Sequence, residues 1–307
     1  MKIVTLTLNP AFDVHCYAES FQPYHENLVQ ITANNAGGKG VNISRALTVN
    51  GVENTALVVL GKDNCECFRL ALEHDGISYR QITVAGRIRE NITLHTSNAP
   101  ETRISFAGFT ASDALIDRVE SELNTLLDNG SILTLTGRNP EGVSISRIKH
   151  MLSNLQNKGV KIVLDSRSFE KQDLLDVQPW LIKPNEEEIG SYTDVNVTDF
   201  ESAKQAANAL QAQGIENVMI SLGARGAMLS CQHGCYVAHA PKIEVRSTVG
   251  AGDSSIGGFC AAAQIGLGYC DMLRYAVAYG SAACMTEGTL PPRSKDVQSL
   301  LNRIIVQ

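Results

Sequence analysis

The stretch TVGAGDSSIGG (248–258) carries the residue types and spacing most suited to chemistry. Gly250, Ala251 and Gly252 form a flexible turn that runs straight into Asp253, and small, helix-compatible residues follow. If a helix opens there, the unpaired N–H groups of residues 250–253 and the positive end of the helix dipole converge on one point, which suits an anion. Residue type alone leaves Asp253 with two readings, a helix cap or a base beside that anion. A second glycine-rich stretch, NNAGGKGVN (34–42), is suited to a polyhydroxylated ligand. Gly37 and Gly38 let the backbone approach closely, Lys39 and Asn42 bring a cation and an amide, and Asp13 lies just after the first apolar run.

Neither stretch is a familiar nucleotide fingerprint. A P-loop would need glycine at 33 and a hydroxyl at 40, where Ala33 and Gly40 stand, and a dinucleotide motif would need glycine where Ser255 stands. CQHGC, with Cys231, His233 and Cys235, resembles a metal cluster locally, but it lies between two strand-like runs and has no second ligand pair. Its spacing predicts a hairpin turn.

These residues need a scaffold, and the apolar pattern predicts one. Short apolar runs at 2–8, 55–61, 131–137, 161–166, 180–185 and 217–223 suit strands buried on both faces. Helix-like stretches at about 41–50, 63–74, 112–128, 143–157 and 199–213 alternate with them, and the chain beyond 253 reads as mostly helical. This βα alternation predicts an α/β fold with a mainly parallel sheet covered by helices. Two regions break the rhythm, 13–34 and 87–109. They hold the shorter, more polar runs ENLVQIT, ENITLHT and TRISFAGF, the last two joined by a turn at SNAPE. Together they predict either a small sheet projecting as a lid over the carboxyl edge of the main sheet, or an ordinary meander at its side.

Composition narrows the partners. The chain has 307 residues, 44% of them hydrophobic, and a formal charge of -6 spread without a basic stripe, so nucleic acid and anionic membrane surfaces are not expected partners. The N-terminal MKIVTLTLNP is apolar too briefly for a signal or a membrane span, and eight cysteines without a secretion signal suit reduced thiols in a cytoplasmic protein.

Taken in order, NP with Asp13, AGGKGVN, KPNEEE (183–188), SLGARG (221–226) and STVGAGDS (247–254) resemble the PfkB, or ribokinase-like, carbohydrate kinases over essentially the whole chain. The spelling is most similar to the 1-phosphofructokinase and tagatose-6-phosphate kinase branches. The resemblance implies a single kinase domain (1–307) with a ribokinase-like three-layer αβα fold and a β lid. It implies ATP and Mg²⁺ as cofactors and a phosphorylated ketohexose as acceptor, fructose 1-phosphate before tagatose 6-phosphate or another sugar. A noncatalytic sugar-phosphate sensor is the alternative from a different class.

By the same resemblance Asp253 is the general base, and the amides of Gly250, Ala251, Gly252 and Asp253 cradle the transferring phosphoryl group. Asp13, Gly37, Gly38, Lys39 and Asn42 take the sugar side. Arg89 grips the substrate's existing phosphate, with Arg87 and Arg103 as weaker candidates. Lys183, Asn185, Ser221, Gly223 and Gly226 take the nucleotide side, and Glu188 helps hold Mg²⁺ through water. One segment departs from the family: Gly137-Arg138-Asn139-Pro140 replaces Gly-Ser-Leu-Pro, so that Arg138 adds a cation on the sugar or phosphate wall. Lid strands in such kinases pair between subunits in a homodimer or are covered within one chain.

Overall fold

The structure is a computed structural model that describes residues 1–98 and 100–307. The first half of the chain forms β1 (Ile3–Thr7), β2 (Ala11–Ala18), β3 (Gln30–Gly37), α1 (Lys39–Val49), β4 (Thr55–Gly61), α2 (Cys65–His74), β5 (Tyr79–Val84), β6 (Arg89–Thr96), β7 (Thr102–Ser105) and α3 (Ala114–Leu126). β8 (Ile132–Thr136), α4 (Ile145–Gln156), β9 (Lys161–Asp165), α5 (Lys171–Val177), β10 (Leu181–Ile182), α6 (Glu186–Thr193) and α7 (Phe200–Gln211) follow. The remainder forms β11 (Asn217–Ser221), β12 (Gly226–Cys231), β13 (Gly234–His239), α8 (Ala251–Gln264), α9 (Tyr269–Cys284) and α10 (Ser294–Leu301).

Among the described residues, nine strands form one sheet in the order β13-β12-β11-β10-β9-β8-β1-β4-β5. The run from β11 to β5 is parallel, and β12 and β13 join as an antiparallel edge. β1 and β8 are buried at every position, as expected for strands covered by helices on both faces. One face packs Val4, Leu6, Leu133 and Leu135 against α3, α4 and α7, and the other packs Ile3 and Ile132 against α1, α8 and α9. This is the expected three-layer α/β architecture. Cys231 and Cys235 flank the β12–β13 turn, so CQHGC is a hairpin.

The second sheet has the order β3-β2-β6-β7. β2 pairs in parallel with β6 and antiparallel with β3. Phe12, Val14 and Cys16 turn inward against Phe68 and Leu72 of α2, while Asp13 and His15 alternate to the opposite face. The sheet therefore stands on α2 and keeps one face open. Its strands differ in detail from the sequence expectation: β2 begins at Ala11, residues 26–29 of ENLVQIT precede β3, and TRISFAGF is a strand only to Ser105. The expected SNAPE turn lies partly outside the described residues. No helix among the described residues is long and apolar enough to cross a membrane.

Candidate active site

The TVGAGDSSIGG stretch opens α8 as its residue types require. Gly250 occupies the cap position with φ 79°, a left-handed conformation that glycine adopts without steric cost. The Ser254 N–H closes the first turn onto the Gly250 carbonyl (2.9 Å), so the amides of Gly252 and Asp253 precede the helical ladder and face outward. The Ala251 N–H makes only a long approach to the Thr248 carbonyl (3.4 Å). Asp253 is buried, and its Oδ2 accepts from Asn42 Nδ2 at 2.9 Å, which joins the two glycine-rich stretches. Burial pushes the Asp253 carboxyl up to about 6, with Lys39 and the Asn42 hydrogen bond pulling the other way.

Beside it lies a buried charge bridge. Asp165, the last residue of β9, accepts from Lys39 Nζ at 3.0 Å and stands 3.7 Å from Lys183 Nζ. Burial alone would raise the Asp165 carboxyl, but Lys183 and Lys39 outweigh it and hold it below the usual range. Burial likewise pulls Lys39 down, and Asp165 and Asp253 more than offset this.

A cavity of about 550 Å³ opens over these groups. The small sheet supplies one wall with Asp13, Arg89, Asn91, Arg103 and Ser105, and the carboxyl edge of the main sheet supplies the floor with Thr7, Thr136 and Asp165. Gly38, Lys39, Asn42, Gly137, Arg138, Lys183, Asn185, Glu188, Ser221, Gly250, Gly252 and Asp253 complete most of the lining. Asp13 accepts from Asn91 Nδ2 at 3.0 Å, and burial raises its carboxyl despite that bond. Gly37 is not on the wall. A Cβ there would overlap the Asp13 carboxylate, so its bare backbone makes room for that side chain.

Arg89, Arg103 and Arg138 line the same cavity. Arg89 is held by Asn91 Oδ1 (3.2 Å) and approaches the Phe106 carbonyl (3.4 Å), while its buried Nε has no partner. Burial, and then Arg138 nearby, lower the Arg89 pKa, and the Asp13 carboxylate opposes them. Arg103 faces the same cavity but is paired with Glu101, whereas Arg87 is exposed, lies near Glu90 and is outside the lining.

A second cavity of about 840 Å³ lies on the far side of the α8 start and is lined largely by apolar or small residues, including Ala224, Ala227, Ile243, Val245, Val277 and Gly280. Gly223, Gly226 and Ala251 line this cavity alone, Lys183 lines the first, and Asn185, Ser221 and Gly252 line both. The two cavities thus meet at the outward amides of α8. Asn185 and Glu188 form a reciprocal capping box at the start of α6: Asn185 Oδ1 accepts from the Glu188 N–H (2.8 Å) and Glu188 Oε2 from the Asn185 N–H (3.1 Å). Arg167 Nε donates to Glu188 Oε1 at 3.1 Å.

Sequence reasoning missed Asp165, Arg167 and Asn91. Asp165 carried a readable signal, an acidic residue ending an apolar strand at the sheet edge where open α/β folds place ligands. Asn91 carried none, because only strand pairing brings it opposite Asp13.

A mainly parallel sheet whose carboxyl edge holds a buried acid, a helix start and two joined cavities suits phosphoryl transfer to a small alcohol. The description "pfkB family carbohydrate kinase" matches residues 7–296, and the chain belongs to that family. It is therefore a kinase that transfers phosphate to a sugar hydroxyl. It is similar to the 1-phosphofructokinase of Vibrio cholerae, with 33% identity over 94% of this chain and 90% of that protein. With the 1-phosphofructokinase of Escherichia coli it shares 34% identity over 84% of this chain and 82% of that protein. The solved phosphofructokinase-2 of Escherichia coli superposes with a TM-score of 0.91 at 25% identity, covering 98% of each chain.

Proposed function

We propose that this chain phosphorylates fructose 1-phosphate with ATP, giving fructose 1,6-bisphosphate and ADP, as one kinase domain in the cytoplasm. The observation that carries the reading is the junction of the two cavities at Gly252, next to Asp253 in the chain, with the guanidiniums of Arg89 and Arg138 in the lining of the first. The first cavity is lined by Lys39, Arg89, Arg103, Arg138, Arg167 and Lys183 against Asp13, Asp165, Glu188 and Asp253, a balance suited to a phosphosugar dianion. The free hydroxyl of the sugar lies toward Asp253, which takes its proton. The oxygen attacks the terminal phosphorus, the bond to the bridging oxygen breaks, and ADP leaves through the second cavity.

Asn42 orients the Asp253 carboxylate, while Asp13 and Asn91 take sugar hydroxyls. The amides of Gly252 and Asp253 and the Lys183 ammonium receive charge on the transferring group. Gly223 and Gly226 border the nucleotide cavity. Mg²⁺ neutralises nucleotide phosphate charge when bound. Glu188 has each carboxylate oxygen already accepting one hydrogen bond, so it suits contact with that ion through water rather than direct coordination.

The edge strand β3 and the segment that precedes it suit a second copy of the chain, since Tyr24 and Leu28 are 104% and 95% exposed and Ile31 is 63% exposed. The test of the substrate is ADP release across fructose 1-phosphate, fructose 6-phosphate, tagatose 6-phosphate and unphosphorylated sugars. Fructose 1-phosphate gives the highest kcat/KM under this reading, and a free sugar giving the highest value would refute it.

A further inference from the structure

Asp165 has no counterpart among the roles that proton transfer and phosphate capture require, yet it is a buried charge in the cavity floor. Its side chain is 7% exposed, and its two oxygens divide between two lysines from different parts of the chain. Oδ1 takes Lys39, at the start of α1 on the sugar side, and Oδ2 faces Lys183, which follows β10. Lys183 in turn stands directly behind the start of α8, since a Cβ on Gly252 would lie 3.2 Å from its Nζ. One carboxylate thus ties the cation of the acceptor subsite to the cation behind the phosphoryl-binding amides.

We propose that Asp165 is a positioning residue that fastens Lys39 and Lys183 into one cationic unit spanning the transfer axis, so that acceptor and donor phosphoryl groups meet a preset charge geometry. The proposal rests on the kinase reading above. Without Asp165 the two ammoniums would repel each other in a buried space, and Lys39, 34% exposed, would swing toward solvent or toward Asp253. The same carboxylate also acts on the base. Asp253 is faced by Lys39 from α1, Asp165 from β9 and Lys183 beyond β10, with Asp13, Arg89, Arg103, Arg138, Arg167 and Glu188 across the cavity. Asp165 raises the Asp253 carboxyl and Lys39 lowers it.

The test uses Asp165→Asn, Lys39→Met and the double variant of the full chain, assayed for ADP release with fructose 1-phosphate from pH 5 to 9. Asp165→Asn lowers kcat by at least about thirtyfold while ADP affinity stays within threefold. The acid limb of kcat/KM moves to lower pH in Asp165→Asn and to higher pH in Lys39→Met. Because Asp165 works through the lysines, adding Asp165→Asn to Lys39→Met costs less than a third of what it costs alone. An Asp165→Asn enzyme with wild-type kcat and an unmoved acid limb, or fully multiplicative losses in the double variant, overturns the proposal. Should Asp165→Asn not fold, Asp165→Glu keeps the charge with a displaced carboxylate: a kcat loss with the acid limb unmoved supports positioning, and wild-type kcat contradicts it. If the wild-type chain releases no ADP with any sugar phosphate, the kinase reading falls instead. A carbon-13 carboxyl titration of Asp253 in the free protein then still decides the coupling, by a downward shift in Asp165→Asn or none.

Discussion

At the scale of single residues, the site sets a buried acid against buried cations and uses the imbalance. Burial holds the Asp253 carboxyl at about 6, closer to neutrality than an ordinary aspartate, which makes it a better proton acceptor while leaving it mostly ionised at pH 7.5. The sign follows directly: below its pKa Asp253 is protonated and cannot accept the sugar proton, so kcat/KM falls as pH drops through about 6. A pH–rate profile flat from 7.5 down to 5 would contradict this. Arg89 and Arg138 make the complementary argument for the acceptor. Removing one charge-assisted phosphate grip from a partly buried site costs about 2 kcal/mol or more, so Arg89→Ala raises KM for fructose 1-phosphate at least tenfold and moves KM for ATP by less than threefold. Equal changes in both would separate Arg89 from substrate phosphate. Much of this was legible in the sequence because the residues cluster in short motifs around glycines. Asp165 was legible only as an acid that ends an apolar strand, a signal outside the glycine motifs, and Asn91 was not legible, since cross-strand pairing rather than local spelling brings it to the site.

At the scale of elements, the fold delivers these groups through a few close approaches. α8 is built of small residues because it must lie tight against two helices: Gly257 faces Ile43 and Ala46 of α1, and Gly258 abuts the Tyr275 backbone in α9. The alternation of apolar runs revealed the main-sheet strands, since strands buried on both faces have a continuous apolar signature. β5 and β2 escaped it. β5 is an edge strand with exposed Arg80 and Gln81, and β2 alternates buried Phe12, Val14 and Cys16 with Asp13 and His15, which dilutes the apolar count. Gly226 shows how an element end constrains the site. It turns from the Gly223–Arg225 helical turn into β12 with φ 112°, and a Cβ there would overlap the Ala238 carbonyl. Gly226→Ala therefore costs about 1–3 kcal/mol from backbone strain, with more from the overlap, and weakens ATP binding more than sugar-phosphate binding. Unchanged thermal stability in this variant would contradict the description of the turn.

At the scale of the whole molecule, the main sheet and its helices carry the chemistry, and the polar face of the small sheet that stands on α2 walls one cavity. If, as proposed, a second copy covers the exposed Leu28 and Ile31, sedimentation at micromolar concentration shows a dimer that Leu28→Glu with Ile31→Glu dissociates. A monomeric wild-type chain would remove the small sheet as an interface. Both cavities share Gly252, one residue before the acid, and this shared wall is what makes transfer between two ligands geometrically direct. The most direct test replaces that acid by its uncharged isostere. Asp253→Asn should lose at least about a hundredfold in kcat for fructose 1-phosphate while binding ADP within threefold of wild type by calorimetry. Turnover near wild type in Asp253→Asn would contradict the account at its centre.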